Sequence, residues 1–267
     1  MAQIIHTQYF QKQLPKGVSI STTSYRDHQF PKHFHDHYTI QLIEEGVNEG
    51  FTESVKYKVG QNGLLVINPG ELHAGNSLNH EYLKFHTIRL DQSFIHSFHE
   101  KNEIPRKGDF HFDIQPIYCA QITHMMNSLI ASLRHNNHLR FESNLTGILI
   151  TLTSNHQKSP GTQSKIPLRL AQDFLHEHYN KNLTLNQIAE VCHLSPYHFL
   201  RQFKKQFGIA PFQYLRNIRV EKAKALLPHH PISQAAHQVG FYDHSHFLKS
   251  FKKIEGVAPS KQITKQA

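Results

Sequence analysis

The sequence predicts a two-domain α+β protein in which a small β domain is followed by two helices and then by an all-helical domain. Three observations support this: short alternating apolar runs before residue 112, a change to helical spacing after Pro116, and a shift of charge between the two halves. With 267 residues, the chain is long enough for two domains that each bury a core.

The segment from Ile20 to Phe112 has the pattern of β-strands. Alternating runs at 38–43 and 63–68 are bounded by turn residues, among them Gly46 and Pro69. Many short strands separated by turns predict a small sandwich or barrel.

Two apolar helical stripes follow within residues 116–152. Apolar residues recur at steps of three and four from Ile122 to Leu133 and again from Leu145 to Leu152. Two interpretations are open: the helices cover a face of the β domain, or the first stripe forms a homodimer interface. Residues 154–165 are polar and without periodicity, as in a flexible linker, so we place the domains at 1–153 and 166–267.

The net charge of +9 lies in the C-terminal half. Residues 1–153 carry 13 basic and 14 acidic side chains, whereas the remaining 114 residues carry 16 basic and 6 acidic ones, a net of +10. This asymmetry predicts a polyanion-binding domain joined to a domain with another task. No apolar run approaches the ~18 residues of a membrane span, and the start of the chain does not have the pattern of a secretory signal. We therefore expect a cytoplasmic protein without membrane contact.

The C-terminal half contains an internal repeat. The segments that begin at His198 and His246 share His-Phe-Leu, then Phe-Lys-Lys, and finally Gly-x-Ala-Pro, at an offset of 48. Each follows a candidate N-cap residue, Ser195 or Asp243, and each is preceded by a short amphipathic helix. This arrangement predicts two helix-turn-helix units, at about 184–208 and 232–256, with a second turn that is one residue longer.

The outer faces of the two capped helices carry the predicted DNA contacts. Phenylalanines four residues apart, such as Phe199 and Phe203, are expected in the core. Residues early in such a helix reach base edges, where Arg201 is the expected guanine reader, and later basic residues meet phosphates. Leu200 and Leu248 are expected to be exposed and to contact thymine methyl groups. The predicted DNA-binding residues are Tyr197, His198, Leu200, Arg201, Lys204, Lys205, His244, Ser245, Leu248, Lys249, Lys252 and Lys253.

Residues 166–263 resemble the DNA-binding domain of AraC/XylS-type transcriptional regulators. The resemblance is carried by residues 183–189 and 195–203, by Val239-Gly-Phe, and by a glycine and a proline three residues apart after each capped helix. The segment His33-Phe-His-Asp-His-Tyr, with residues 63–73, resembles the cupin-type effector domain of such regulators. The resemblance implies a cupin-like β-barrel with two following helices and a double helix-turn-helix domain.

The cupin resemblance implies a small-molecule effector pocket inside the barrel. The candidate effector-binding residues are His35, His37, Gln41, Glu71 and His73. Imidazoles that converge in a barrel suit a divalent metal, but enzymatic cupins carry a carboxylate where this chain has Gln41. We expect no metal, no cofactor and no enzymatic activity. The alternatives are a metal-dependent cupin enzyme and histidines that only cap strands and fill the mouth of the barrel.

Together these features predict a transcriptional regulator, with activation the commoner behaviour of the family. The expected partners are double-stranded promoter DNA, a small-molecule effector, a second copy of the chain and, for an activator, RNA polymerase. Alkyl-transfer DNA repair needs a reactive cysteine, and neither Cys119 nor Cys192 has suitable neighbours. A structural nucleoid protein would leave the β domain unexplained.

Overall fold

The computed structural model describes residues 5–10, 14–52, 55–102, 110–112, 115–158 and 166–263. The chain forms two compact units: Met1–Gln29 with His35–Gly161, and Phe30–Phe34 with Thr162–Ala267. The predicted architecture, a β domain with two following helices and an all-helical domain, is confirmed. Residues 159–165 of the predicted linker lie outside the described residues.

The first unit is built on antiparallel sheets. Its strands are β1 (Ile5–Phe10), β2 (Val18–Arg26), β3 (His37–Glu45), β4 (Asn48–Thr52), β5 (Lys56–Val59), β6 (Leu64–Ile67), β7 (His73–Ser77), β8 (Tyr82–Asp91), β9 (His111–Phe112) and β10 (Gln157–Lys158). One sheet has the order β1-β2-β8-β3-β6, a second has the order β5-β4-β7, and β9 pairs with β10. Within the described ranges no strand ladder joins the two larger sheets, so the predicted barrel is open rather than closed.

The described residues of this unit also form three α-helices: α1 (Gln92–Lys101), α2 (Ala120–Arg134) and α3 (His138–His156). Helix α1 corrects the assignment of the whole segment up to Phe112 to strands. Its buried residues Ile95 and His99 are four apart, which places both on the core side of a helix.

The five-stranded sheet buries one face under the helices. Ile20 and Ile40 both pair with Ile88 of β8, and Ile40 also pairs with Val66, so these side chains form one apolar row. This row belongs to the same core cluster as the stripe of α2, in which Ile122, Met126 and Leu129 are almost fully buried. The stripe therefore covers the sheet of its own unit and does not provide a free dimer interface.

The second unit has seven helices within its described residues: α4 (Ile166–Glu177), α5 (Leu185–Glu190), α6 (Pro196–Phe207), α7 (Pro211–Leu226), α8 (Ile232–Gln238), α9 (His244–Glu255) and α10 (Pro259–Ile263). Helix α7 contributes to two cores. Its Tyr214 packs against Phe203 and Phe207 of α6, whereas its Val220 and Ala223 belong to the core formed with α8 and α9. With 16 residues it spans about 24 Å. In the described part of the chain, no helix is both long and apolar enough to cross a membrane.

Candidate functional site

The first helix-turn-helix unit consists of α5 and α6. Thr184 and Gln187 form a reciprocal capping box at the start of α5. Helix α6 begins after Ser195, whose Oγ accepts the backbone N–H of His198 at 3.4 Å. It ends at Gly208, whose left-handed φ of 65° suits glycine. The capping signals in the sequence therefore place this recognition helix where the structure has it.

The second helix-turn-helix unit consists of α8 and α9, and its recognition helix α9 has a stronger N-cap. The carboxylate of Asp243 accepts two backbone N–H groups, from Ser245 at 3.1 Å and His246 at 2.8 Å. Helix α9 ends at Gly256 in the left-handed conformation, as α6 does at Gly208. The two recognition helices are thus equivalent in position and length.

The two turns differ by one residue, as the repeat predicts. The left-handed residue of the first turn is His193, two positions before its N-cap, whereas that of the second is Gly240, three positions before Asp243. A Cβ atom on Gly240 would lie 2.8 Å from the carbonyl oxygen of Asn180, so this position needs glycine. The longer turn presents Tyr242 fully to solvent, a residue absent from the predicted DNA-binding set.

The predicted DNA-binding residues lie together on the outer faces of α6 and α9. Within each helix the phenylalanines face inward, and Phe199, Phe203, Phe247 and Phe251 have no exposed surface, which confirms their predicted core role. The exposed members of the predicted set are Tyr197, Arg201, Lys204, Lys205, His244, Ser245, Lys249, Lys252 and Lys253. His198 is half-buried, and its Nε2 accepts the side-chain amide of Gln202 at 3.3 Å.

Leu200 and Leu248 correct one expectation. Both are half-buried rather than exposed, and Leu248 packs against the core of the second helix-turn-helix unit. The i+1 spacing from Phe199 and Phe247 places each leucine at the edge of the buried face, so each leucine also contributes to helix packing.

Arg219 has a structural role that was not predicted from the sequence. Its guanidinium donates to the carbonyl oxygens of Tyr179 at 2.7 Å and Lys181 at 2.8 Å, and lies 6.0 Å from the centre of the Phe241 ring. Burial lowers the pKa of Arg219. This side chain ties the segment after α4 to α7 and to the second turn.

Three of the predicted effector-binding residues form a cluster in the first unit. The ring of His35 stacks on that of His37 with centroids 4.8 Å apart and lies 5.2 Å from the ring of His73. All three are buried. His73 Nδ1 donates to the carbonyl oxygen of Glu71 at 2.9 Å, which fixes its ring orientation.

The other two predicted residues have protein partners. The Glu71 carboxylate accepts the side-chain amide of Asn68 at 2.7 Å, and Asn68 also exchanges two hydrogen bonds with the backbone of Phe112. The Gln41 side-chain oxygen accepts from Asn48 at 2.9 Å. Glu71 thus helps to hold a turn. Gln41 belongs to the inner face of the five-stranded sheet, by which we mean the face opposite the one that packs on α2 and α3.

The inner face carries polar side chains next to buried apolar ones such as Ile43, Leu65 and Phe85, and the polar part was not predicted from the sequence. Thr87 of β8 pairs with Ser21 and with Gln41, and Arg89 pairs with Thr39, so these side chains form two neighbouring rows. The Arg89 guanidinium donates to Ser21 Oγ at 3.2 Å and links the rows. The signal was the alternation of Ser, Thr and Arg with apolar residues along β2, β3 and β8.

Several polar atoms on or near this face are buried without a hydrogen-bond partner among the described residues. They are Thr39 Oγ1, Thr87 Oγ1, Asn48 Oδ1 and Ser77 Oγ. A buried hydroxyl or amide oxygen without a partner is costly, which favours a ligand or ordered water at this place. Two tyrosines, Tyr25 and Tyr57, are also buried in this unit, and burial raises the pKa of each well above its usual range, so both remain neutral hydroxyl groups.

Comparison with known families matches both units. A family model described as an AraC-like ligand binding domain matches residues 15–150, and a model described as a helix-turn-helix domain matches residues 188–264. The chain is 30% identical over 225 residues to the HTH-type transcriptional regulator YbfI of Bacillus subtilis strain 168, a match that covers 81% of each chain. It is 23% identical over 223 residues to the HTH-type transcriptional activator RhaS of Klebsiella pneumoniae strain 342, which covers 80% of each.

The fold is also found in a solved structure of low sequence identity. Wild-type ToxT from Vibrio cholerae strain SCE256, in a crystal structure with bound unsaturated fatty acid, has a TM-score of 0.56 and 16% identity. The match covers 98% of this chain and 94% of that one. This similarity supports the two-part architecture.

Proposed function

Because the chain belongs to the AraC family of transcriptional regulators, we propose that it activates transcription by placing α6 and α9 on promoter DNA under the control of a small hydroxylated effector. It is a DNA-binding regulator with a ligand-binding domain, and not an enzyme. The observation that carries the proposal is the duplicated recognition helix with matched exposed basic faces in a half of net charge +10.

The DNA interface is proposed from the order of residues along each recognition helix. Tyr197, His244 and Ser245 lie in the first turn of their helices and Arg201 lies in the second, where side chains reach base edges in the major groove. The lysine pairs Lys204/Lys205 and Lys252/Lys253 follow and contact phosphates. Because Leu200 and Leu248 are half-buried, only their outer edges are available to thymine methyl groups.

A salt series tests the phosphate contacts. We expect Lys204→Ala/Lys205→Ala to lower the slope of log affinity against log salt by about 2 in fluorescence anisotropy with a duplex selected by the full chain from a random pool. The matched control Arg26→Ala/Lys56→Ala removes the same charge from exposed positions of the first unit and should leave the slope unchanged. Equal slopes for wild type and the α6 variant would contradict the assignment.

The effector is proposed to bind on the polar part of the inner face. His37, Gln41 and Thr39 alternate along β3 on this side, with Arg89 and Thr87 next to them on β8. Hydroxyl and amide groups recognise ligand hydroxyls by hydrogen bonds, so a sugar or another polyhydroxylated molecule fits this surface. The five predicted residues His35, His37, Gln41, Glu71 and His73 would line one end, without metal or cofactor.

A fatty acid is the second candidate effector, because the structurally similar ToxT has been solved with one bound. In this chain the face of the sheet that contains Ile20, Ile40 and Ile88 is covered by α2 and α3. The buried hydroxyl groups of Thr39 and Thr87 on the inner face favour the hydroxylated ligand.

Thermal-shift screening separates the two candidates. Sugars and polyols should raise the melting temperature of the full chain, and Thr39→Val/Thr87→Val should remove the shift. The control Thr151→Val changes a hydroxyl that bonds the helix backbone at Gly147 and should retain it. Stabilisation by oleate alone, unchanged in the double variant, would favour the apolar effector instead.

Activation, homodimerisation and a cytoplasmic location complete the proposal. The relative RhaS is named an activator, so we expect purified RNA polymerase to initiate more often at a promoter that carries the selected site. Less frequent initiation in the same assay would contradict activation and indicate a repressor. We place the protein in the cytoplasm, because its relatives are bacterial regulators whose DNA is there.

A homodimer would need a surface other than the buried stripe of α2. Leu139 and Ile150 are 80% and 41% exposed and lie 11 residues, about three turns, apart on α3. We expect Leu139→Glu/Ile150→Glu to shift the sedimentation coefficient from dimer to monomer. A wild-type chain that sediments as a monomer at micromolar concentration would contradict the homodimer.

A further inference from the structure

The second unit contains a segment from the N-terminal half of the chain. Residues Phe30–Phe34 connect β2 to β3 in sequence, yet they belong to the compact unit formed by the C-terminal helices. We call residues 30–34 the strap. The match to the ligand-binding family model spans these residues.

The strap contributes an aromatic ring to the core of the first helix-turn-helix unit. Phe34 is 1% exposed, and its ring centroid lies 4.6 Å from that of Tyr214 on α7. The Tyr214 ring is in turn 5.6 Å from Phe203 and 5.8 Å from Phe207, both on recognition helix α6. A shift of Phe34 would therefore change the packing that sets the position of α6.

Two hydrogen bonds fix the strap to the same helices. Lys32 Nζ donates to the carbonyl oxygen of Gly208 at 3.2 Å, where the C-terminal end of α6 favours a positive charge. The buried amide of Asn217 on α7 donates to the carbonyl oxygen of Lys32 at 3.3 Å. The strap is thus held by apolar, charged and backbone contacts, as expected of a specific docking segment.

The strap continues directly into the proposed effector-binding residues. His35 follows Phe34, and the His35 carbonyl oxygen accepts the backbone N–H of Gly70 at 2.8 Å, in the turn that also contains Glu71. His37 then begins β3. Because Phe34 is adjacent to His35 in the chain, a rearrangement of His35 and His37 would change the position of the strap.

We propose that the strap transmits the occupancy of the effector site to the first helix-turn-helix unit and so regulates α6. This inference rests on the proposed function. Coupling between two binding sites is reciprocal, so DNA bound to the recognition helices must also change the strap. The reciprocal direction is measurable without knowing the effector.

Hydrogen–deuterium exchange of the full chain, with and without a duplex that the chain selects from a random pool, tests the proposal. In the wild type the duplex should protect α6 and α9 and also change the opening equilibrium of the peptide at 30–41 by roughly fivefold or more. In Lys32→Met and in Phe34→Leu, protection of α6 and α9 should persist, whereas the change at 30–41 should largely disappear. Lys16→Met, an exposed lysine of the first unit, should behave as wild type.

The outcomes separate the strap from the proposed function. Protected recognition helices with no change at 30–41 in the wild type would overturn the strap proposal alone. The strap proposal would also fail if both strap variants kept the wild-type response. A chain that selects no duplex would instead contradict the proposed function, and the role of the strap would fall with it.

Discussion

The two helix-turn-helix units share one sequence pattern, but their recognition helices are held differently. The N-cap of α6 is a serine with one backbone hydrogen bond, whereas that of α9 is an aspartate with two. Helix α6 also depends on Phe34 through Tyr214. Helix α9 is instead joined to α7 by Lys224, whose Nζ lies 2.9 Å from Glu221 and 3.1 Å from Glu255.

This difference indicates that the two helix-turn-helix units have different roles. The cap of α9 lies within the second helix-turn-helix unit, and its ion pair joins it to α7. A unit whose core includes residues 30–34 can respond to events elsewhere in the chain. We therefore expect residues 30–34 to regulate the affinity that α6 supplies.

The largest effect is expected at Lys224. Lys224→Met would leave the carboxylates of Glu221 and Glu255 without this partner in a mostly buried place, at a cost of about 3–5 kcal/mol in the free energy of unfolding. Urea unfolding followed by circular dichroism measures the loss. Lys205→Met, on the exposed face of α6, serves as the control and should cost little. If both variants unfold at the same urea concentration, the ion pair does not hold α9.

Arg201 and its counterpart Lys249 test base reading in the two units. We expect Arg201→Ala to weaken binding to the selected duplex by about 1–3 kcal/mol and to relax base preference at one position. Lys249→Ala should change the base preference at a different position, in the half-site that α9 contacts. Arg201→Lys keeps the positive charge but loses the paired N–H donors of the guanidinium. This variant should therefore retain the electrostatic part of the affinity and lose the base preference. Unchanged preference in Arg201→Ala, measured by anisotropy with single-base variants, would contradict the assigned face.

The N-caps give the smallest effects. Replacement of Ser195 or Asp243 by alanine should destabilise the chain by about 0.5–2 kcal/mol, with the larger loss at Asp243 because its carboxylate accepts two N–H groups. Asp243→Asn should recover most of that loss. A larger loss at Ser195 in urea unfolding would reverse the proposed order of stability.

Local signals in the sequence predicted the recognition helices well. Ser195, Pro196 and Gly208 act within one helix, and the repeat supplied the second copy, so pattern alone located both. The inward phenylalanines followed from their spacing of four residues. The longer second turn was likewise visible in the change of offset, and it carries the exposed Tyr242.

Long-range features were not predictable in the same way. The polar rows on the sheet depend on strand order and register, which bring Ser21, Thr87 and Gln41 together from three separate segments. The strap gave no pattern of its own, because Phe34 looks like one more apolar residue before a strand. The α2 stripe allowed two interpretations, and only its packing on Ile88 and its neighbours distinguished them.

Hydroxyl-radical footprinting of the full chain on its selected duplex tests the central claim most directly. Because α7 joins the two recognition helices, they should protect two patches on the same side of the DNA. The patches should be about one turn of the DNA, or 10–10.5 base pairs, apart. Arg201→Ala should weaken one patch and Lys249→Ala the other. A single protected patch, or loss of both patches in either variant, would contradict separate reading by α6 and α9.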